Sequence, residues 1–148
     1  MNKILAVFLV LVIFLIGLGV WQSFKKSPTA KINNYAFKLY IAKTPKDKEI
    51  GLSKYKNLAK DTGMLFSFDK PDYYSFWMKQ MKFPIDIIFI KDGKIVTIYK
   101  NVTPPKKTTD ELLIYKPKEP SNMILEINTG LSDKYKLKVG DKVNLNNI

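Results

Sequence analysis

The feature that most constrains this chain is an apolar run near its N-terminus, Ile4 to Trp21. Its 18 residues carry no charge, and 14 of them are Ile, Leu, Val or Phe. A helix of this length would span roughly 27 Å, close to the hydrocarbon core of a bilayer. Its insertion would be favoured by about 4 to 8 kcal/mol. The sequence therefore predicts one N-terminal transmembrane helix, with residues 1–30 forming a membrane anchor and a linker.

A cleaved signal peptide is the alternative for the same segment. Gly17 and Gly19 provide a small-x-small pattern, but the apolar run is longer than the usual core of a signal peptide, which favours a retained anchor. We expect a single-pass protein of the cell membrane with an extracytoplasmic domain, or a secreted domain if the segment is cleaved. Lys3 on one side and Lys25 and Lys26 on the other leave the orientation undecided by charge.

The composition excludes several kinds of chemistry. The formal net charge is +12, every positive side chain is a lysine, and residues 31–148 hold 22 lysines against 13 acidic residues. The chain has no histidine, cysteine or arginine. This excludes thiol and imidazole nucleophiles, disulfides, zinc sites with the usual ligands and haem bound by histidine. It also excludes bidentate contacts from arginine. We predict no cofactor and no metal site.

Residues 31–148 are predicted to form a single β-rich globular domain. Segments rich in aromatic and β-branched residues alternate with short polar turns, which is typical of strands. The expected strands cover 35–41, 63–68, 75–78, 85–91, 94–99, 112–115, 122–127 and 142–145. Two short helices are expected, one beginning at Pro45 after a Thr44 cap and one near 131–135. Seven or eight short strands with two short helices indicate an α+β, β-rich, barrel-like fold.

The strongest local signal is Asp92–Gly93 between two apolar runs, which predicts a two-residue hairpin. With Lys91 opposite Lys94, counting outward without interruption places Asp86 opposite Tyr99. One face of this hairpin is wholly apolar and should be core. The other face is largely apolar but carries a carboxylate and a phenol, so we expect a ligand site there.

Four residues are therefore candidates for ligand binding: Trp77, Asp86, Tyr99 and Glu126. A tryptophan, a phenol and carboxylates on a semi-apolar surface suit sugars or peptides through stacking and hydrogen bonds. Each residue also has an ordinary structural explanation. Trp77 can be core, Asp86 can accept a hydrogen bond from Tyr99, and Glu126 can pair with a lysine. A different possibility is a hydrolase using Asp86 and Glu126 as paired carboxylates.

Several short strings in the sequence resemble a known family. They are Gly51-Leu52, Gly63-Met64-Leu65-Phe66, Phe76-Trp77-Met78-Lys79, Pro84-Ile85-Asp86-Ile87-Ile88-Phe89, Leu125-Glu126 and Gly140-Asp141. In this order they resemble the family called domain of unknown function 192, over about residues 35–145. The resemblance implies a small mixed barrel following a signal or anchor segment, and it implies no reaction.

The chain departs from the family pattern at four positions. Ile50 and Ser53 stand where the pattern usually has arginine and methionine, and Gln80 and Met81 stand where it has asparagine and threonine.

From these observations we predict a membrane-anchored extracytoplasmic domain that binds a ligand without catalysing a reaction. The expected partners are the membrane, through Ile4 to Trp21, and a cell-envelope glycan, peptide or anionic lipid. The alternative is a carboxylate-dependent hydrolase acting on cell-envelope material. Nucleic acid is not an expected partner, because the lysines are spread over the domain and form no evident stripe.

Overall fold

The computed structural model describes residues 2–23, 27–107 and 110–148. Helix α1 (Lys3–Ser23) covers the apolar run. Within those ranges, however, no helix combines the length and the apolar character that crossing a membrane requires. The predicted transmembrane helix over Ile4–Trp21 is therefore not found.

The domain is built on one sheet of seven strands. They are β1 (Thr29–Ile32), β2 (Tyr35–Ala42), β3 (Thr62–Asp72), β4 (Ile85–Lys91), β5 (Lys94–Val102), β6 (Ser121–Asn128) and β7 (Val143–Asn146). Their order across the sheet is β5-β4-β6-β3-β2-β1-β7. The β2–β3 pair is parallel and every other pair is antiparallel. The sheet is thus mixed, as predicted, and its first strand starts two residues before the predicted domain boundary.

The sheet curls so that its two outer strands approach each other. At the start of β5, the Ile95 amide donates to the Asp141 carbonyl at 3.0 Å, and the Gly140 amide donates to the Ile95 carbonyl at 2.8 Å. The Val143 amide donates to the Gly93 carbonyl at 2.8 Å. These bonds join the edges over a few residues only, which gives a half-barrel and confirms the β-rich, barrel-like α+β fold.

Each face of the sheet has its own apolar core. The first core receives residues from all seven strands and fills the concave side; its members include Phe37, Leu65, Ile88, Ile95, Leu125 and Val143. The second core lies on the opposite face, and its members include Leu52, Met64, Phe66, Ile87, Phe89 and Ile124. Because side chains alternate along a strand, β4 and β6 contribute to both cores. The residues that cover the second core form the candidate site.

Two short helices and a 3₁₀ turn complete the described fold of the domain. Helix α2 (Pro45–Ile50) begins with a capping box, in which the Asp47 amide donates to Thr44 Oγ1 at 3.0 Å and the Thr44 amide donates to Asp47 Oδ2 at 3.1 Å. Pro45 occupies the first turn, as predicted. The 3₁₀ turn (Gly51–Lys54) follows directly, and helix α3 (Leu131–Lys134) precedes the last strand.

The predicted hairpin is confirmed at its turn and wrong further along. Lys91 does pair with Lys94, but the register shifts between Ile90 and Phe89, and Phe89 then pairs with Thr97. This bulge inserts one extra residue into β5, and a shift of one residue moves the later side chains to the other face. Asp86 consequently does not lie opposite Tyr99.

Two predicted strands are not found. The segments 75–78 and 112–115 meet only in a single antiparallel bridge between Phe76 and Tyr115, in which the two amides donate to the opposite carbonyls at 2.9 and 2.8 Å. Their apolar side chains do pack on the second core, with Met78 buried and Phe76 partly buried against it. The strand-like composition of these segments reflects this packing.

Candidate functional site

A cavity of about 260 Å³ opens where helix α2 and the 3₁₀ turn face the segment 73–81 across β3 and β6. We call it the candidate pocket. Its lining includes five aromatic rings and one buried acid: Phe66, Phe68, Tyr74, Phe76, Trp77 and Glu126. Three charged residues, Lys48, Glu49 and Lys79, also line it.

Glu126 is the buried acid of the pocket. It lies on β6 between Met64 of β3 and Ile87 of β4, both of which are buried apolar residues. Only 5% of Glu126 is exposed. Burial raises the pKa of its carboxyl group to about 8, and no charge or hydrogen bond from the described residues opposes this effect. The carboxyl group is therefore protonated at neutral pH and is able both to donate and to accept a hydrogen bond.

Aromatic rings form the walls of the pocket. Phe66 and Phe76 meet edge to face with their centroids 5.0 Å apart, while Phe68 and Tyr74 are stacked at 3.7 Å. Trp77 differs from these rings because 43% of it is exposed. A large apolar ring open to solvent at the mouth of a cavity is suited to stacking against a ligand.

Helix α2 and the following turn are placed firmly over the second core. Lys48 Nζ lies 4.2 Å from the centroid of Phe68 and donates to the Ser67 carbonyl, which ties the helix to β3. Gly51 adopts a φ of +52°, a conformation that residues with side chains rarely adopt. Glycine therefore permits the turn that follows helix α2 beside the pocket wall.

The structure brings together two of the four predicted ligand-binding residues. Trp77 and Glu126 line the candidate pocket, one at its mouth and one in its interior. Asp86 and Tyr99 do not line it. The prediction that Asp86 and Tyr99 form a common face was wrong, because it assumed an uninterrupted hairpin.

Asp86 has a structural role on the other side of the sheet. Its Oδ1 atom accepts hydrogen bonds from the amides of Asn101 at 2.8 Å and Gly130 at 3.2 Å. Its Oδ2 atom accepts one from the Ser132 amide at 2.8 Å. The side chain is fully buried. Asp86 therefore holds the end of β5 and the start of helix α3 against β4.

Tyr99 packs within the second core. It pairs with Ile87 across the β4–β5 ladder, and its ring lies edge to face with Phe89 at 6.0 Å and with Tyr115 at 5.2 Å. Its hydroxyl group donates to the Lys116 carbonyl at 2.6 Å. Tyr99 thus anchors the segment that follows the bridge between Phe76 and Tyr115.

The two carboxyl groups proposed for a hydrolase are on opposite faces of the sheet. Ile87, not Asp86, is the direct partner of Glu126, and Asp86 pairs with Ile127. Side chains of successive residues point to opposite faces, so Asp86 and Glu126 do not face a common space. Among the residues that the structure describes, no cluster of three or more acidic side chains could hold a metal ion.

Sequence reasoning missed the aromatic walls and the entrance of the pocket. The candidate residues drawn from the sequence include neither the rings of Phe66 and Phe76 nor the charged side chains of Lys48 and Lys79. A usable signal was present, because Gly51, Phe66, Phe76 and Lys79 all lie in the strings that carry the family resemblance. The four positions of departure from the family pattern also border this region: Ile50, Ser53, Gln80 and Met81 line the pocket or the cavities adjoining it.

The fold and pocket define a small β-rich domain with a half-barrel sheet and one aromatic cavity. The family model for domain of unknown function 192, described as "Uncharacterized ACR", matches residues 28–145. The chain belongs to this family. No curated protein matches the sequence.

Two solved structures are similar to this chain. A protein of unknown function from Novosphingobium aromaticivorans is 30% identical with a TM-score of 0.69, and the match covers 78% of this chain and 83% of that one. A protein from Sinorhizobium meliloti described as a "putative transcription regulator" is 27% identical with a TM-score of 0.69, and the match covers 82% of this chain and 93% of that one. Both similarities support the fold.

Proposed function

We propose that this domain is a non-catalytic ligand-binding module and that its ligand enters the candidate pocket. The observation that carries the proposal is Glu126, a neutral carboxyl group that lines an aromatic cavity and has no hydrogen-bonding partner among the described residues. A carboxyl group that lines a cavity normally finds its hydrogen-bonding partner in water or in a ligand there. A ligand hydroxyl or amide group would supply it.

The remaining walls indicate the shape of the ligand. The exposed ring of Trp77 offers a flat apolar surface at the entrance, and the deeper aromatic rings enclose a volume of about 260 Å³. Drug-sized ligands usually occupy about 300 to 1,000 Å³. A single sugar ring or one amino-acid side chain therefore suits the pocket, with the rest of the ligand outside it. The separation of Asp86 from Glu126 leaves the paired-carboxylate hydrolase without support.

Binding is tested with the full-length chain in mild detergent, carrying Trp21→Phe so that Trp77 is the remaining tryptophan. The probes are tri-N-acetylchitotriose, N-acetylmuramyl dipeptide and a water-soluble short-chain phosphatidylglycerol, with Trp77 fluorescence and calorimetry as readouts. Glu126→Leu removes the hydrogen-bonding group and should weaken binding of the preferred probe about tenfold, the equivalent of about 1.4 kcal/mol. Glu126→Gln keeps a neutral donor and acceptor and should stay within about threefold of the wild type.

Two controls make this test specific. Tyr35 is exposed to nearly the same extent as Trp77, at 40% against 43%, but does not line the pocket, so Tyr35→Ala should leave binding unchanged. In a chain retaining Trp21, Trp77→Ala should weaken binding about tenfold by calorimetry. If no probe binds at millimolar concentration, or if Glu126→Leu binds as tightly as the wild type, the proposal is wrong.

We also propose that the N-terminal helix brings the domain to a membrane and that the domain works outside the cytoplasm. Eleven large apolar residues between Ile4 and Ile16 are each 45–83% exposed. A helix that is apolar on all sides is normally buried in protein or in lipid. This exposed surface supports contact with lipid, while the lysine-rich domain stays in water.

The location is tested by fractionating cells that produce the full-length chain. We expect the protein to sediment with membranes, to resist alkaline carbonate and to be released by detergent. Leu9→Lys combined with Phe14→Lys should move it to the soluble fraction, because each charge opposes insertion by about 2.5 to 3.5 kcal/mol. Trypsin added to intact cells should cleave the domain. An intact soluble protein inside the cell would contradict both parts of this proposal.

A further inference from the structure

A second cavity of about 430 Å³ adjoins the candidate pocket on the far side of Trp77. The two cavities share Glu49, Ile50, Trp77 and Lys79 in their walls. Trp77 therefore borders both cavities, and 43% of it is exposed. We call the two cavities together the cleft.

The cleft is too long for one ring. The candidate pocket alone fits about one sugar unit, and the second cavity is larger. A ligand that fills both would pass the face of Trp77 and place its next unit beside Lys46 and Lys79. The cleft therefore suits a chain of at least two units.

The charge of the second cavity is positive. Lys46 and Lys79 line it with one acid, Glu49, and Lys48 lines the neighbouring candidate pocket. In the part of the chain that the structure describes, the one ion pair is Lys100 with Asp133, so these three lysines are not neutralised by a salt bridge. Lys106 and Lys107 continue the positive surface beyond Lys79. Such a surface attracts an anionic group through single point-charge contacts.

The two halves of the cleft thus have different chemistry. The pocket offers aromatic faces and the neutral Glu126, which suit an uncharged ring bearing hydroxyl or acetamido groups. The second cavity offers ammonium groups, which suit a carboxylate, phosphate or sulfate. Alternating uncharged and acidic units are a property of acidic glycans. A peptide is the weaker match, because the exposed ring and the buried acid provide no series of backbone partners for an extended chain.

We propose that the cleft binds an acidic oligosaccharide, with an uncharged sugar ring in the candidate pocket and the anionic group of the neighbouring sugar beside Lys46 and Lys79. This inference rests on the proposed function, since it requires that the candidate pocket accepts a ligand. It adds the ligand class, the direction in which the ligand leaves the pocket and the source of selectivity.

The test compares two tetrasaccharides of equal length. Tetra-N-acetylchitotetraose is neutral, and hyaluronan tetrasaccharide alternates N-acetylglucosamine with glucuronate. The full-length chain in detergent should bind the acidic sugar about tenfold more tightly at low salt, and the difference should shrink as salt is added. Lys46→Gln combined with Lys79→Gln should remove this preference for the acidic sugar.

A matched control is Lys31→Gln combined with Lys38→Gln. It lowers the net charge by the same amount as the Lys46 and Lys79 changes, but at two exposed lysines of β1 and β2 that line none of these cavities. This variant should keep the preference for the acidic sugar. Equal binding of both sugars, with no effect of the Lys46 and Lys79 changes, would overturn this inference and leave the proposed function standing. No binding of either sugar, nor of the earlier probes, would overturn both.

Two further probes separate the glycan from other anions. A hexaglutamate peptide and a single-stranded DNA hexamer carry more charge than the hyaluronan tetrasaccharide but lack its pyranose rings. We expect both to bind more weakly and to be insensitive to Glu126→Leu. Tighter binding of either one, dependent on Lys46, Lys79 and Glu126, would overturn the assignment of the cleft to a glycan.

Discussion

Glu126→Gln is expected to raise the free energy of unfolding relative to the wild type, and this gain should grow with pH. The gain should be larger at pH 8 than at pH 4 by on the order of 5 kcal/mol. Burial raises the pKa of the Glu126 carboxyl from 4.5 to about 8. Between these values the folded protein keeps the proton and the unfolded chain releases it. Ionisation therefore favours unfolding, and the free energy of unfolding falls by about 1.4 kcal/mol per pH unit. The stability that the wild type owes to a protonated Glu126 is therefore complete below pH 4.5 and is lost by about pH 8.

The measurement is urea denaturation of the wild type and the variant from pH 4 to pH 9. Other groups that titrate are common to both proteins, so the difference between the two curves isolates Glu126. Glu119→Gln, at an exposed position, is the control and should give a flat difference curve. A flat curve for Glu126→Gln as well would show that the carboxyl group is not buried as described.

The same proton connects stability with ligand binding. A protonated Glu126 can donate to a ligand oxygen, and an ionised one cannot. Wild-type affinity should therefore fall above about pH 8, and the Glu126→Gln protein should keep its affinity there. Binding that is independent of pH in both proteins would place the ligand elsewhere.

Asp86→Ala is expected to lower the free energy of unfolding by about 3 to 5 kcal/mol. The carboxylate accepts hydrogen bonds from the amides of Asn101, Gly130 and Ser132, and it is fully buried. Alanine would leave three amides without this acceptor, one of them in a buried hydrogen bond and two in partly buried ones. Asn101 and Gly130 also have positive φ values, of 53° and 78°, so losing their acceptor removes one restraint on unusual backbone geometry.

Urea denaturation at pH 7 measures this effect, with Asp133→Ala as the matched control. Asp133 Oδ1 also accepts a short hydrogen bond, 2.6 Å from Lys100 Nζ, but the side chain of Asp133 is 58% exposed. Exposed ion pairs contribute about 0 to 1 kcal/mol, so the control should change little. Asp86→Asn keeps one carbonyl oxygen as an acceptor, so its loss of unfolding free energy should lie between those of Asp86→Ala and Asp133→Ala. If Asp86→Ala is no more destabilising than Asp133→Ala, the three hydrogen bonds do not have the role described.

Local sequence signals predicted most elements but not all of their pairings. The capped start of helix α2, the turn at Asp92–Gly93 and the alternation along β6 all depend on residues close in sequence, and the structure confirms them. No local sequence pattern marks the position of the bulge in β5. Its position follows from how β5 must bend to bring Ile95 against Asp141 and close the half-barrel. An error of one residue there placed Tyr99 on the wrong face, whereas Asp86 keeps the face that it shares with Ile88 and Ile90.

The candidate site was only partly accessible to sequence reasoning for a similar reason. Alternation along β6 correctly separated Glu126 and Ile124 from Leu125 and Ile127. It could not show that helix α2 and the segment 73–81 would cover the face that carries Glu126. That arrangement depends on the parallel β2–β3 pairing and on the bridge between Phe76 and Tyr115. Both are contacts between residues far apart in the chain.

Strand β1 has a mechanical consequence for the domain. It carries the chain from the N-terminal segment into the sheet, and it is paired on both sides, through four register pairs with β2 and four with β7. A force transmitted through the N-terminal segment would therefore reach the sheet first at these two ladders. Glu126 and Trp77 lie two or more strands away, on or beside β6 and β3. The domain can thus bear tension from its N-terminal side without that load passing directly through its pocket.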